Sequence, residues 1–243
     1  MIDIHSHILP QIDDGAESMQ DSLEILRAAE QSGVQTIVAT PHFNQMYHWL
    51  NYASDELLSL FNRLRERADK YGLSIDIQLG MEIRAFDGMI ELLRHKNLLP
   101  YADTNYVLVE FDNWESEHWC TKVLNTLSAS GYSPIIAHPE RYEFVWEKPW
   151  MVYDWLESGC SIQITKASML GRFGREAKQT ADDFLERGWV SFVASDAHGV
   201  NHRTAEMKSA YDYLSKQYSV KLADLLLYEN PQRMLQGKPL EKG

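Results

Sequence analysis

The chain has 243 residues, 44% of them hydrophobic and 24% charged, which suits one α/β barrel or two small domains and is too apolar for extended disorder. Its formal charge of −12 opposes nucleic-acid binding, which uses clustered Lys and Arg to displace counterions from phosphates. No run of about 18 apolar residues occurs and no basic segment leads into an apolar stretch, so cytoplasmic residence without membrane insertion is expected.

From the N-terminus, short apolar runs alternate with helical patterns. Strands are predicted at 2–5, 34–40, 74–83, 106–111, 134–138, 160–165 and 189–195, rich in Val and Ile as buried parallel strands are. Helices are predicted at 18–32, 54–71, 87–95, 118–130, 149–158, 175–187 and 204–218. The first opens on Ser18 and Asp21, a capping-box pair, closes at Gly33, and carries Leu23, Leu26 and Ala29 at helical spacing. No repeat, low-complexity tract or linker divides the chain, so a single domain over residues 1–243 is expected. Repeated β-α units imply a parallel sheet, open or closed into a barrel.

Two cysteines, Cys120 and Cys160, could form at most one bridge, which a cytosolic chain of this size does not need. Six residues after Cys160 stands Lys166, where a cysteine-dependent phosphatase loop would place Arg to cradle phosphate. Thiolate catalysis is therefore not expected.

Barrels carry their functional groups at the C-terminal ends of several strands, and polar residues gather at those positions here. His5 and His7 end the first strand, one residue apart, so both can point to one side of an extended segment. A lone His-x-His pair is weak evidence. The later strands, however, end at His42, Glu82, Glu110, His138, and the pair Asp196 and His198, all metal-ligand types. Asp13 and Asp14 precede Gly15 after the first strand, and either carboxylate could reach the same mouth; a turn role is the plain alternative. His48, His95 and His118 read as solvated, whereas His202 stays open because it adjoins Arg203.

Taken together, segments 1–19, 39–44, 80–84, 109–112, 137–143, 170–175 and 194–199 resemble the polymerase and histidinol phosphatase (PHP) superfamily. Within it the chain is similar to the bacterial tyrosine-protein phosphatases of capsular and exopolysaccharide clusters. The resemblance implies a distorted (β/α)7 barrel with three divalent metal ions at the C-terminal ends of its strands. His5, His7, Glu82 and Asp196 would hold the first ion, Glu82, Glu110 and His138 the second, and Asp14, His42 and His198 the third, with Glu82 bridging two. Manganese is favoured by the resemblance, while mixed His and carboxylate ligation also admits Fe²⁺, Zn²⁺ or Co²⁺. Arg141 and Arg203 match the family's phosphate-binding arginines.

The implied activity is hydrolysis of phosphotyrosine by metal-activated hydroxide. The implied substrate is the tyrosine-rich tail of a membrane-associated autokinase that regulates polysaccharide synthesis. No general acid is assigned, because a phenolate of pKa near 10 leaves with little help. The competing readings are a small-molecule phosphatase such as histidinol phosphatase, and a non-catalytic phosphotyrosine-binding regulator, which would not demand a polynuclear centre. Thr204 follows Arg203 where Pro is expected, and Lys166-Ala167 replaces smaller residues. Segment 44–51, with Tyr47, His48 and Trp49, carries no family match.

Overall fold

The structure, a computed structural model, describes residues 1–241. The apolar runs form strands β1 (Ile2–Ser6), β2 (Thr36–Ala39), β3 (His42–Asn44), β4 (Trp49–Leu50), β5 (Asp76–Leu79), β6 (Glu82–Arg84), β7 (Tyr106–Glu110), β8 (Ser133–Ala137), β9 (Ser161–Thr165) and β10 (Phe192–Ala194). Around them lie α1 (Met19–Gln31), α2 (Asp55–Lys70), α3 (Met89–Arg94), α4 (Glu117–Ala129), α5 (Glu143–Glu147), α6 (Trp150–Glu157), α7 (Lys166–Met169), α8 (Gly174–Glu186), α9 (Lys208–Gln217), α10 (Val220–Asp224) and α11 (Asn230–Leu235). Half of the expected capping box forms: the Ser18 hydroxyl accepts from the Asp21 N–H at 3.1 Å, while the Asp21 carboxylate accepts from that hydroxyl at 2.9 Å and not from the Ser18 N–H. Among the described residues no helix is long and apolar enough to cross a membrane.

Two of the predicted strands break, and the breaks shape the site. The run 34–40 stops at Ala39 and resumes as β3 after Thr40 and Pro41; the run 74–83 stops at Leu79 and resumes as β6 after Gly80 and Met81. Pro41 has no N–H to continue a ladder. At Gly80 a Cβ would lie 2.9 Å from the Tyr101 ring, whose hydroxyl donates to the Ile4 carbonyl at 2.9 Å. Each break is a change of sheet. Strands β1, β2 and β5 form one parallel sheet, while β3 and β6 join a seven-stranded sheet in the order β10-β9-β8-β7-β6-β3-β4, parallel except for the β3–β4 pair.

The two sheets meet again where Ser6 bridges Ala197; there the His7 N–H donates to the Ala197 carbonyl at 2.8 Å and the Asp196 N–H to the His5 carbonyl at 2.9 Å. The expected parallel α/β framework is thus present as two linked sheets, and the described residues do not pair into the one continuous ring of a closed barrel. A small apolar cluster of Ile4, Val38, Leu108, Ile135 and Phe192 collects residues from β1, β2, β7, β8 and β10. A larger cluster packs the sheets against the helices.

One predicted helix needs correction. The helix expected at 204–218 begins at Lys208, because Ala205 and Met207 are buried in a non-helical approach and the Met207 N–H is taken by the Ser32 hydroxyl at 2.9 Å.

Candidate metal centre

His5 and His7 project from the end of β1, and each ring has its Nδ1 engaged. His5 Nδ1 lies 2.8 Å from Gln163 Oε1, and His7 Nδ1 lies 2.9 Å from Asp13 Oδ2. An amide or carboxylate oxygen only accepts, so Nδ1 carries the proton in both rings and the Nε2 atoms present lone pairs. Those two Nε2 atoms are 3.2 Å apart. Glu82 Oε2 lies 3.1 Å from the first and 3.2 Å from the second, with Asp196 Oδ1 at 3.4 and 3.6 Å. Four buried acceptors face one another, an arrangement that repels unless a cation or added protons sit among them. A cation with ligands at about 2.1 Å holds adjacent ones roughly 3.0–3.4 Å apart, which covers the 3.2 Å between the two Nε2 atoms and three of the four Nε2–oxygen distances; the His7–Asp196 pair is longer, at 3.6 Å.

The other groups adjoin this one. His138 Nε2 is 3.1 Å from Glu82 Oε1 and 3.7 Å from Glu110 Oε1. His42 Nδ1 is 3.1 Å from Glu82 Oε2, while His42 Nε2 and His198 Nε2 lie 3.5 and 3.2 Å from Asp14 Oδ1. His198 Nδ1 is satisfied by the Asp196 carbonyl at 3.0 Å, which leaves its Nε2 free. Three sets bring their potential ligand atoms within 4.8 Å of one another: His5, His7 and Asp196; His42, Glu82 and Glu110; and His7, Asp14, His42 and His198. These sets hold eight of the nine residues singled out in the sequence, and His138, outside all three, joins them through Glu82. The partition differs from the expected one, because His7 and His42 each fall in two sets and Glu82 reaches four imidazoles.

The electrostatics fit divalent cations. His42 Nδ1, Glu82 Oε2, His138 Nδ1, Asp196 Oδ1 and His198 Nε2 are buried without a hydrogen-bond partner. Burial, then the charge of Glu82, pushes the Glu110 carboxyl up to about 8, and burial holds the His42 and His138 imidazoles down to about 4. Burial opposes charge on His7 as well, yet Asp13 and Glu82 carry it well above the imidazole range. Protons and metal ions thus compete for one set of lone pairs.

Local backbone strain aims these groups. His138, Asp196 and Arg203 adopt left-handed conformations with φ of 37°, 51° and 46°, each costing on the order of 1–3 kcal/mol and persisting only where the surroundings impose it. Hydrogen bonds from His138 N–H to the Gln163 carbonyl and from His198 N–H to the Arg203 carbonyl, both 2.8 Å, do so. Asp13 accepts from the Gly15 and His42 N–H groups at 3.0 Å each, fixing the loop that presents Asp14. Of the two carboxylates left open by the sequence, Asp14 faces the cluster and Asp13 orients His7.

Arg141 Nη1 lies 3.0 Å from Asp196 Oδ2, and the Arg203 guanidinium contacts the same oxygen. Arg141 also lies over the Phe173 ring at 4.6 Å. Both arginines line a cavity of about 410 Å³ with His42, Glu82, Glu110 and His138. Lys166, buried at the end of β9, donates to the Thr204 carbonyl at 2.5 Å and to the Glu206 carbonyl, so it pins the segment that follows Arg203. Burial pushes its pKa down to about 8. His48, His95 and His118 are exposed as expected, and His202 is exposed beside a second cavity on the far side of Asp14 and Arg203. Both cysteines are buried thiols pushed up by burial to about 12, the reverse of a reactive thiolate. Sequence reasoning missed Gln163 and the role of Lys166; polar side chains inside or ending an apolar run were the available signal.

Residues 1–236 match the family described as capsular polysaccharide synthesis, CpsB/CapC. The chain belongs to this family. Its relatives include the tyrosine-protein phosphatase YwqE of Bacillus subtilis, 35% identical over 99% of this chain and 93% of that one. Another is the tyrosine-protein phosphatase CpsB of Streptococcus pneumoniae, 32% identical over 97% of this chain and 98% of the relative. A crystal structure from work on YwqE and CpsB as metal-dependent tyrosine phosphatases superposes with a TM-score of 0.93 at 35% identity, covering 100% of this chain and 97% of that one.

Proposed function

We propose that the chain is a metal-dependent protein tyrosine phosphatase acting as one unit over its full length. The observation that carries this reading is the set of mutually facing acceptors around Glu82, with two guanidinium groups at its edge. His5, His7, Asp14, His42, Glu82, Glu110, His138, Asp196 and His198 would hold three divalent ions, with manganese the favoured metal. Bound there, such ions supply Lewis acidity and lower the pKa of water to roughly 7.

The chain's own residues do the rest. Arg141 and Arg203 present planar donor forks that match phosphoryl oxygens and offset charge as it builds in the transition state. Asp13 and Gln163 hold His7 and His5 in the tautomer that leaves Nε2 available. Lys166 keeps the Arg203 segment seated. A phenolate leaves without a dedicated protein acid, which suits phosphotyrosine.

The natural substrate in this reading is the phosphotyrosine-bearing tail of a membrane-associated autokinase in capsule or exopolysaccharide synthesis, met in the cytoplasm. Metal-reconstituted protein should be assayed against a phosphotyrosine peptide, a phosphoserine peptide and histidinol phosphate. Turnover of the first well above the others is expected. Preferential turnover of histidinol phosphate would replace this reading with a small-molecule phosphatase.

A further inference from the structure

Segment 44–51 folds into the β3–β4 hairpin, with Asn44 opposite Trp49 and Phe43 opposite Leu50. Asn44 Oδ1 accepts from the N–H groups of Met46 and Tyr47 at 3.0 and 3.3 Å, and His48 closes the turn with a φ of 59°. The turn sets two aromatic rings side by side at the lip of the metal cavity, which Tyr47 and Trp49 both line. Their centroids are 5.0 Å apart at 31°. Trp49 in turn stacks on His42, at 5.0 Å and 15°. The rings form a stair from the acceptor cluster out to solvent, and its outer step is open to solvent: Tyr47 is 57% exposed. Across the mouth, the Arg84 guanidinium lies over Trp114 at 4.9 Å, and Trp114 is also largely exposed.

We propose that this hairpin is an aryl-binding subsite, in which the phenyl ring of the phosphoester stacks against Tyr47 and Trp49 while its phosphoryl group lies between Arg141 and Arg203. The inference rests on the phosphatase reading and adds a physical cause for tyrosine selectivity. In an aryl phosphate the ring follows one ester oxygen behind phosphorus, so a phosphoryl group on the cavity floor puts the ring at the lip. Phosphoserine puts backbone there, with no π face to offer. Offset aromatic pairs with centroids 4.5–7 Å apart are favourable beyond their buried area, by about 3- to 10-fold in affinity per contact.

The test separates ring contact from leaving-group reactivity. Tyr47→Ala and the parent protein, both metal-reconstituted, are compared on phenyl phosphate, benzyl phosphate and glycerol 2-phosphate. Benzyl phosphate has the ring but an alkoxide leaving group, and intrinsic reactivity cancels in each variant-to-parent ratio. Expected is a fall in kcat/KM of about 3- to 10-fold, carried by KM, for both aromatic esters and no change for glycerol 2-phosphate. Tyr47→Phe should restore the parent values, since the ring and not the hydroxyl makes the contact. Calorimetric affinity for benzylphosphonate, which cannot be hydrolysed, should fall by the same factor and that for methylphosphonate should not. An equal loss on all three esters, no loss, or a loss on phenyl phosphate alone overturns the subsite. A parent protein that hydrolyses neither these esters nor a phosphotyrosine peptide overturns the phosphatase reading itself, and the subsite with it.

Discussion

Asp196 meets a different demand on each carboxylate oxygen: Oδ1 faces His5 and His7, and Oδ2 takes both arginines. The arginines therefore sit outside the acceptor cluster, where they can act on a phosphoryl group without ligating metal. Arg141→Ala or Arg203→Ala should lower turnover of a phosphotyrosine peptide roughly 30- to 1,000-fold, with metal per chain unchanged by elemental analysis. Lys166→Met should also slow turnover, by releasing the Arg203 segment, and its effect should largely vanish in an Arg203→Ala background; additive losses would contradict that linkage. Asp13→Ala is expected to weaken metal affinity about 10- to 100-fold, because the His7 ring loses the partner that fixes its tautomer. Competition with a chelating dye measures this. Eight of the nine cluster residues were legible in the sequence because imidazoles and carboxylates at strand ends have few other uses, whereas Asp14 was separated from Asp13 only by the family resemblance. Gln163 and Lys166 were not, since their partners lie 158 and 38 residues away and no local period marks them.

At the level of elements, the decisive features are the two strand breaks and the loop between β1 and α1. Alternating Val and Ile announce a strand but not which neighbour it pairs with, so the sheet change at Pro41 and at Gly80 was invisible in the apolar runs. The β3–β4 hairpin was missed for a simpler reason: a two-residue strand carries no period. Gly15 is the loop's most constrained position, because a Cβ there would lie 2.1 Å from the His7 carbonyl oxygen and 2.4 Å from the His7 Cβ. The contacting atoms belong to His7 itself and cannot yield without moving a cluster residue. Gly15→Ala should therefore lower metal stoichiometry while leaving circular dichroism near the parent spectrum; an unchanged metal content would show that the loop is more pliant than its packing implies.

Across the whole molecule, a chain of formal charge −12 draws four carboxylates and five imidazoles into one mouth, most of them buried, whose charge protons or metal ions compensate. Ligands that bind only the folded state stabilise it by mass action, about 2.7 kcal/mol per site at one hundred times Kd. Chelation should lower the Tm by about 5–10 °C for each ion lost from a domain of this size, and Mn²⁺ should restore it. An unchanged Tm would indicate that the cluster is held by protons and packing alone.

Dependence of phosphotyrosine hydrolysis on bound metal, and not on a thiol, underlies every step above. It is tested most directly by the turnover of one phosphotyrosine peptide, measured on the parent protein and on a Cys120→Ala, Cys160→Ala double variant, before chelation, after it, and after reconstitution with Mn²⁺. The expected result is loss of turnover on chelation, recovery on reconstitution, and the same pattern in both proteins. Full activity in metal-stripped protein, or an inactive but folded and metal-loaded double variant, would contradict it.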